Sequence, residues 1–410
     1  MTASSPSQGP LAGFVVVDLT RALAGPHGGM MLGDLGARVI KVETPGSGDD
    51  TRGWGPPFVE PEPGPDGDAR QCESTYFLSC NRNKESITLD LKSDDGREVL
   101  ARLVERADVL LENFRPGVLD RLGFDVGRLH ALNPRLVILS ITGFGHDGPE
   151  GDRPGYDQIA QGEAGIMSLT GSGPDDPQRV GVPIGDLLAG MYGVYGVLAA
   201  LLERERTGRG QVVRTSLLAA LVGVHAFQGT RYTVAGEVGR SIGNHHPSIV
   251  PYGLFHCRDG AVQIAVGSES LWRRLCEGFG LDPAAPGMAS NPERVANRAA
   301  VLAAVEAAFA TWDAADLLAT LARLGIPSGK VRTLDEVYTW DQVRSQGLLV
   351  DVDHATLGPV TLPGPPLRFF ADDPDAPDGG LVEVTRRVHD APPTLGEDGA
   401  AIRAWLGLLP

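Results

Sequence analysis

Cysteine is scarce in this chain. There are four in 410 residues, Cys72, Cys80, Cys257 and Cys276, and no CxxC pair. That excludes a disulfide scaffold and a cysteine zinc site, and fits free thiols in a reducing compartment. Positive charge is scarce too: 36 Lys and Arg stand against 52 Asp and Glu, a net charge of −16. The balance argues against a nucleic-acid partner and against an anionic membrane surface, which both need a basic footprint. It leaves room for an anionic small molecule, which a few local Arg or Lys residues can hold. The opening residues MTASSPSQGPLAG carry neither the basic nor the apolar region of a secretory signal, so a cytoplasmic location is expected. The longest apolar run, Leu187 to Leu202, is shorter than the roughly 18 residues of a membrane span and runs directly into ERER. A buried core helix is expected there, and no membrane partner.

Several catalytic motifs are also missing. The stretch TRALAGPHGG offers Gly25, Gly28 and Gly29 at a spacing other than GxGxxG, which disfavours a nicotinamide or flavin enzyme. Neither Walker A nor HExxH occurs. His245 and His246 are adjacent, but their loop supplies no further ligands, so no metal and no permanently bound cofactor are expected. Gly239 to Gly243, GRSIG, matches GxSxG. A nucleophile elbow needs a strand before it and a helix at once after it, and NHHPSIVP cannot start a helix promptly.

What is present describes a large globular chain, 42% apolar and 21% charged. At about 150 residues per domain the length suggests two or three domains. FVVVDLT (Phe14 to Thr20) predicts a strand, about Gly28 to Leu35 a helix, and RVIKVE (Arg38 to Glu43) a second strand. The pattern resumes with a helix over Asp94 to Ala107, a strand at ADVLLEN, a helix over Val118 to Leu132 and a strand at Leu136 to Thr142. Strands alternating with helices imply a parallel, doubly wound α/β half over the first 145 residues. Gly- and Pro-rich loops are expected near 46–70 and 143–185. A long helix near 187–206 follows, then a further helix near 216–229 that serves as a linker within 206–229. Residues 230–335 are expected as a smaller α+β domain that opens with a hairpin around CRDG. The tail, 336–410, is expected to return to the large domain begun by residues 1–205.

Asp186, in PIGDLLAG, opens the long apolar helix. It has two readings. One is an N-cap that satisfies free helix N–H groups. The other is a nucleophile kept ionised by the helix dipole, which attacks an activated carbonyl to form a mixed anhydride. On that second reading, nearby N–H groups could stabilise the oxyanion.

At this point the chain resembles the family III CoA-transferases, the group that includes formyl-CoA transferase and crotonobetainyl-CoA:carnitine CoA-transferase. The likeness runs almost end to end. It is carried by AGPHGGMMLGDLGARVIKVETPGSGDDTR, NRNKESITLDLK, ADVLLENFRPGVLDRLG, GYDQIAQGEAGIMSLTG, PIGDLLAGMYG and ERERTGRGQVV. The resemblance implies an intertwined homodimer, with a Rossmann-like large domain built from both chain ends and a small α+β domain. It puts the nucleophile on Asp186. It puts CoA contacts on Leu89, Lys92, Asn113, Phe114, Arg115, Arg121, Tyr156 and Asp157. Arg115 and Arg121 suit the phosphates of CoA, and Phe114 suits its adenine. CoA and acyl-CoA are then substrates, and small carboxylic acids the acceptors. The chain departs from formyl-CoA transferase at Leu23 and Thr44 and lacks its Gly-rich loop, which argues against a formyl/oxalate pair. The segment GNHHPSIVPYG is expected to line the acyl pocket, with His245 and His246 favouring a dicarboxylate such as succinate. α-Methylacyl-CoA racemases are relatives and supply the rival reading, a 2-methylacyl-CoA racemase. They carry a His where this chain has Tyr156, and a phenol is a poor base at neutral pH.

Overall fold

The four apolar strand runs of the first 145 residues pair side by side, as their sequences require. In the computed structural model, which describes residues 9–61, 72–373 and 380–408, they belong to a six-stranded parallel sheet. Its strands are β1 (Val15–Asp18), β2 (Arg38–Glu43), β3 (Lys84–Thr88), β4 (Val109–Glu112), β5 (Val137–Thr142) and β6 (Val212–Ser216). Their spatial order is β3-β2-β1-β4-β5-β6. This is the doubly wound order, with its switch point between β1 and β4. β1 registers with Val39 to Lys41 on one side and with Val109 to Leu111 on the other.

Helix α1 (Ala24–Asp34) starts four residues earlier than its expected start near Gly28. The glycines that suggested a turn are packing glycines. A Cβ on Gly25 would strike Thr20 at 2.3 Å, and one on Gly29 would meet an Asp18 carboxylate oxygen at 2.8 Å. α2 (Asp94–Arg106), capped by Ser93, and α3 (Val126–Leu132), capped by Asp125, cover one face of the sheet. α4 (Asp157–Glu163) precedes α5 (Ile184–Thr207), which lies on β5 and β6. The close approach depends on small residues: Cβ atoms on Gly193 and Gly196 would clash with Leu139 and Val213, and one on Gly190 with the carbonyl of Ala24 in α1. Among the described residues, α5 is the helix long and apolar enough to cross a bilayer, yet it packs on the sheet. Its outer side exposes Tyr195 and Leu202.

Two strands of this sheet lay outside the sequence expectations. β3 (KESIT) hides among polar residues because its lysine is buried in an ion pair: Lys84 Nζ lies 3.0 Å from Asp18 Oδ2, with neither side chain exposed. β6 falls inside the segment expected as a linker helix. That expectation is corrected: 206–229 contains the sixth strand of the sheet and α6 (Leu217–Gly223), capped by Ser216.

The chain divides into two compact units. The larger takes residues up to Ala164, Val180–Thr230, and those from Asp341 onward. The smaller takes Gly165–Arg179 and Arg231–Trp340, so the segment 165–179 belongs with it rather than with the large domain. The smaller unit holds an antiparallel sheet in the order β9-β8-β7, made of β7 (Tyr252–Cys257), β8 (Gly260–Ala265) and β9 (Ser328–Lys330). Its own core gathers Phe255, Trp272, Leu275, Val305 and Phe309. In the larger unit the C-terminal helix α7 (Gly399–Trp405) puts Ile402 into the core of the six-stranded sheet.

Candidate active site

The site starts with the accounting of free N–H groups at the head of α5. Pro183 has none to offer, and Ile184 N–H donates to the Val182 carbonyl at 2.8 Å. Asp157 takes the next two. Its Oδ1 accepts from Gly185 N–H at 2.7 Å and from Asp186 N–H at 3.3 Å. Leu187 N–H then begins the helical ladder by donating to Pro183. Asp186 is therefore the third residue of the helix and no N-cap. A carboxylate from α4 does the capping. The N–H groups of Gly185 and Asp186 are occupied, so the expected oxyanion role does not fall to them. Gly185 admits Asp157: a Cβ there would lie 3.0 Å from Asp157 Oδ1 and 3.1 Å from Leu221.

The charge state of Asp186 also differs from expectation. The dipole argument keeps the carboxyl ionised at low pH. Instead, burial, and after it the Asp157 charge, push its pKa up to about 7. The helix dipole acts in the other direction but is already shared with Asp157.

Two aromatic residues that the sequence did not single out join this cluster. Tyr76, on the one-turn helix Thr75–Leu78, has its phenol pushed up to about 12, first by burial and then by the Asp186 charge, with Asp157 contributing. Trp54 meets Tyr76 edge to face at 5.1 Å. The only signal in the sequence was an aromatic in each of RGWGPP and ESTYF.

The expected CoA contacts fall into three groups. Leu89 and Lys92 follow β3. Leu89 is buried in the sheet core, while Lys92 is exposed. Asn113, Phe114 and Arg115 follow β4 beside the switch point. The Asn113 side chain is doubly bonded to the backbone of Arg21, accepting from its N–H at 2.9 Å and donating to its carbonyl at 2.8 Å. It braces the loop after β1. Arg115 and Arg121 are exposed, as is Tyr156, just before α4. Both loop groups leave the C-terminal ends of parallel strands, where ligands bind in open α/β sheets.

Phe114 and Arg115 line a cavity of about 220 Å³ whose polar floor was also missed. Glu112, Ser140 and Arg214 stand side by side on β4, β5 and β6. Ser140 Oγ bonds to Glu112 and lies 2.7 Å from His146 Nε2. Burial raises the Glu112 pKa and lowers that of His146. The residues were legible as strand ends, but their cross-strand register was not.

In the smaller unit, His246 stacks on Tyr252 and His245 meets Phe255 edge-on. Burial, then the Arg298 charge, lowers the pKa of both imidazoles. Arg298 donates to the carbonyls of His246 and Pro247, and among the described residues no carboxylate lies within ion-pair distance of it. Ser241 is buried in irregular chain, with no helix after it, so the elbow geometry is absent. Among the described residues no group of three His, Cys, Asp or Glu could hold a metal.

A half-buried carboxyl at a helix head, on a doubly wound fold that lacks a dinucleotide fingerprint, disfavours a redox enzyme. The family model described as CoA-transferase family III matches residues 11–398, and the chain belongs to that family. It is a CoA-transferase. It is 39% identical over 374 residues to the succinate–glutarate CoA-transferase of Agrobacterium fabrum, covering 89% of this chain and 92% of that one. It is 38% identical over 411 residues to the acetyl-CoA:oxalate CoA-transferase of Acetobacter aceti, covering 98% of each. Among solved structures, a CAIB/BAIF family protein from Brucella suis superimposes with a TM-score of 0.80 at 42% identity, covering 97% of this chain and 99% of that one.

Proposed function

We propose that the enzyme moves CoA from succinyl-CoA to a small dicarboxylic acid through covalent intermediates on Asp186. The ionised Asp186 attacks the donor thioester, forming an aspartyl mixed anhydride and releasing CoA thiolate. The thiolate attacks the aspartyl carbonyl and frees the donor acid, leaving an aspartyl-CoA thioester. The acceptor carboxylate displaces the thiolate to form a second anhydride. The thiolate then takes the new acyl group and restores Asp186. Every step exchanges one acyl bond for another, so thioester energy is conserved and no ATP is consumed.

The observation that carries this reading is the half-buried Asp186, poised near neutral pH at the head of α5. Such a carboxyl is ionised enough to attack at pH 7 and basic enough to be a better nucleophile than an ordinary surface aspartate. The names of the relatives, with succinate, glutarate, oxalate and mesaconate among them, support a dicarboxylate substrate class. The exposed Lys92, Arg115 and Arg121 supply charge for the CoA phosphates, Tyr156 shapes the path, Leu89 and Asn113 hold the core and the loop behind it, and Phe114 offers a face to the purine. The exposed Tyr195 and Leu202 support burial of α5 against a second copy, in a cytoplasmic homodimer. The test is a screen of succinyl-, acetyl- and formyl-CoA against glutarate, oxalate, mesaconate and monocarboxylic acids, read by mass spectrometry. Transfer from succinyl-CoA to a dicarboxylate is expected. Transfer only among monocarboxylates refutes the substrate class, and α-deuterium exchange into 2-methylacyl-CoA would establish the racemase instead.

A further inference from the structure

We propose that Asp157, braced by Gln161, is a positioning residue for the nucleophile rather than a CoA contact: it caps the catalytic helix from outside and sets the place and charge environment of Asp186. The inference rests on the Asp186 reading above. Its geometry stands on hydrogen bonds within one unit of the fold. Asp157 Oδ1 is occupied by the N–H groups of Gly185 and Asp186, at 2.7 and 3.3 Å. Asp157 Oδ2 accepts from Gln161 Nε2 at 2.7 Å. Gln161 is fully buried, and its Oε1 accepts from Val180 N–H at 2.9 Å. One amide side chain thus ties α4 to the chain that leads into α5, and one carboxylate ties α4 to the first turn of α5 itself.

Chemistry separates this role from ligand binding. A carboxylate with both oxygens engaged has no donor for CoA and would repel its phosphates. Its helical offset also matters: residues 157 and 161 lie one turn apart on α4, so both side chains point to the same neighbour. The groups that face Asp186 electrostatically are Asp157 on α4 and Tyr76 on its one-turn helix. Asp157 raises the Asp186 pKa, and Tyr76, its phenol pushed up to about 12, stays neutral through the working range. A surface cap could be replaced by water. This one is half-buried, sits beside the reacting carboxyl, and approaches closely because residue 185 carries no side chain.

The test reads Asp186 without turnover. A diazo amide esterifies only the protonated carboxyl, so labelling at residue 186, measured against pH by peptide mass spectrometry, gives its titration directly. The wild type is expected to lose labelling with a midpoint near pH 7. Asp157→Asn removes the charge and should move that midpoint down by about one unit or more. It also sets an amide N–H against either Gly185 N–H or Gln161 N–H, so kcat should fall about tenfold while KM for acyl-CoA stays within about twofold. Gln161→Met keeps the charge and removes only the brace. Its labelling midpoint should stay at or above that of the wild type while kcat falls. An unchanged midpoint in Asp157→Asn together with a raised KM for acyl-CoA overturns the proposal and makes Asp157 a ligand contact. Wild-type kcat in Gln161→Met overturns the bracing role. Because labelling needs no turnover, absence of CoA transfer in the wild type refutes the function reading alone.

Discussion

Asp186→Asn should abolish transfer and, at alkaline pH, stabilise the fold. Burial and the neighbouring Asp157 raise this carboxyl from 3.8 to about 7 in the native state, while the unfolded chain keeps the ordinary value. Between those two pH values the native state holds a proton that the unfolded state has lost. Stability from this group is therefore full below about pH 4, falls as pH rises, and is gone above pH 7. At about 1.4 kcal/mol per unit the ceiling is about 4 kcal/mol, and partial solvent access halves it to about 2. Asparagine has the same shape and no proton to lose. Urea unfolding of both proteins at pH 5 and pH 8, with unchanged m, should show the variant's relative advantage growing by about 1 kcal/mol across the interval. A difference in midpoint that does not change with pH refutes the reasoning, because only the pH-dependent part reports the strained carboxylate. The expected trade of stability for activity is the usual signature of a catalytic group held in an unfavourable place.

The pH dependence of kcat/KM should show an acid limb with a midpoint near pH 7 and a slope of one, measured with succinyl-CoA and glutarate; a limb near the ordinary carboxylate range contradicts the burial argument. Gly185→Ala forces a methyl to 3.0 Å from Asp157 and 3.1 Å from Leu221, which should cost about 1–3 kcal/mol in urea unfolding and lower kcat more than it changes KM. Lys84→Met leaves Asp18 charged in the core and should destabilise by about 3–5 kcal/mol; adding Asp18→Asn should recover much of that loss.

The parts of the fold that alternate apolar strands with helices were legible because β1, β4 and β5 are buried runs with few polar residues, and β2 sets Val39, Ile40 and Val42 between its charges. β3 and β6 were not, for opposite reasons. β3 carries Lys84 and Ser86 inward, where Asp18 and Glu43 satisfy them, so its pattern looks like surface. β6 is an edge strand whose Arg214, beside Ser140 at the cavity, is exposed, so its pattern looks like surface. α1 was placed late because Gly25, Gly28 and Gly29 have two possible meanings, turn or close packing, and only the partner residue decides. At the site, Asp186 could be picked out by its place ahead of an apolar helix. The residue that caps that helix could not, since Asp157 reaches it from a different element. Leu89 and Asn113 illustrate the same limit: matching a motif located them, but their side chains serve the core and the loop after β1. Tyr76, with Trp54 against it, needed the folded loop to bring it near the two aspartates.

The most direct measurement of the central claim is chemical trapping on Asp186 itself. Enzyme turning over succinyl-CoA and glutarate is quenched with hydroxylamine, digested, and read by peptide mass spectrometry. The account predicts an aspartyl hydroxamate at residue 186, dependent on acyl-CoA and absent from Asp186→Asn. An unmodified Asp186 peptide during active transfer, or a hydroxamate on another residue, contradicts it.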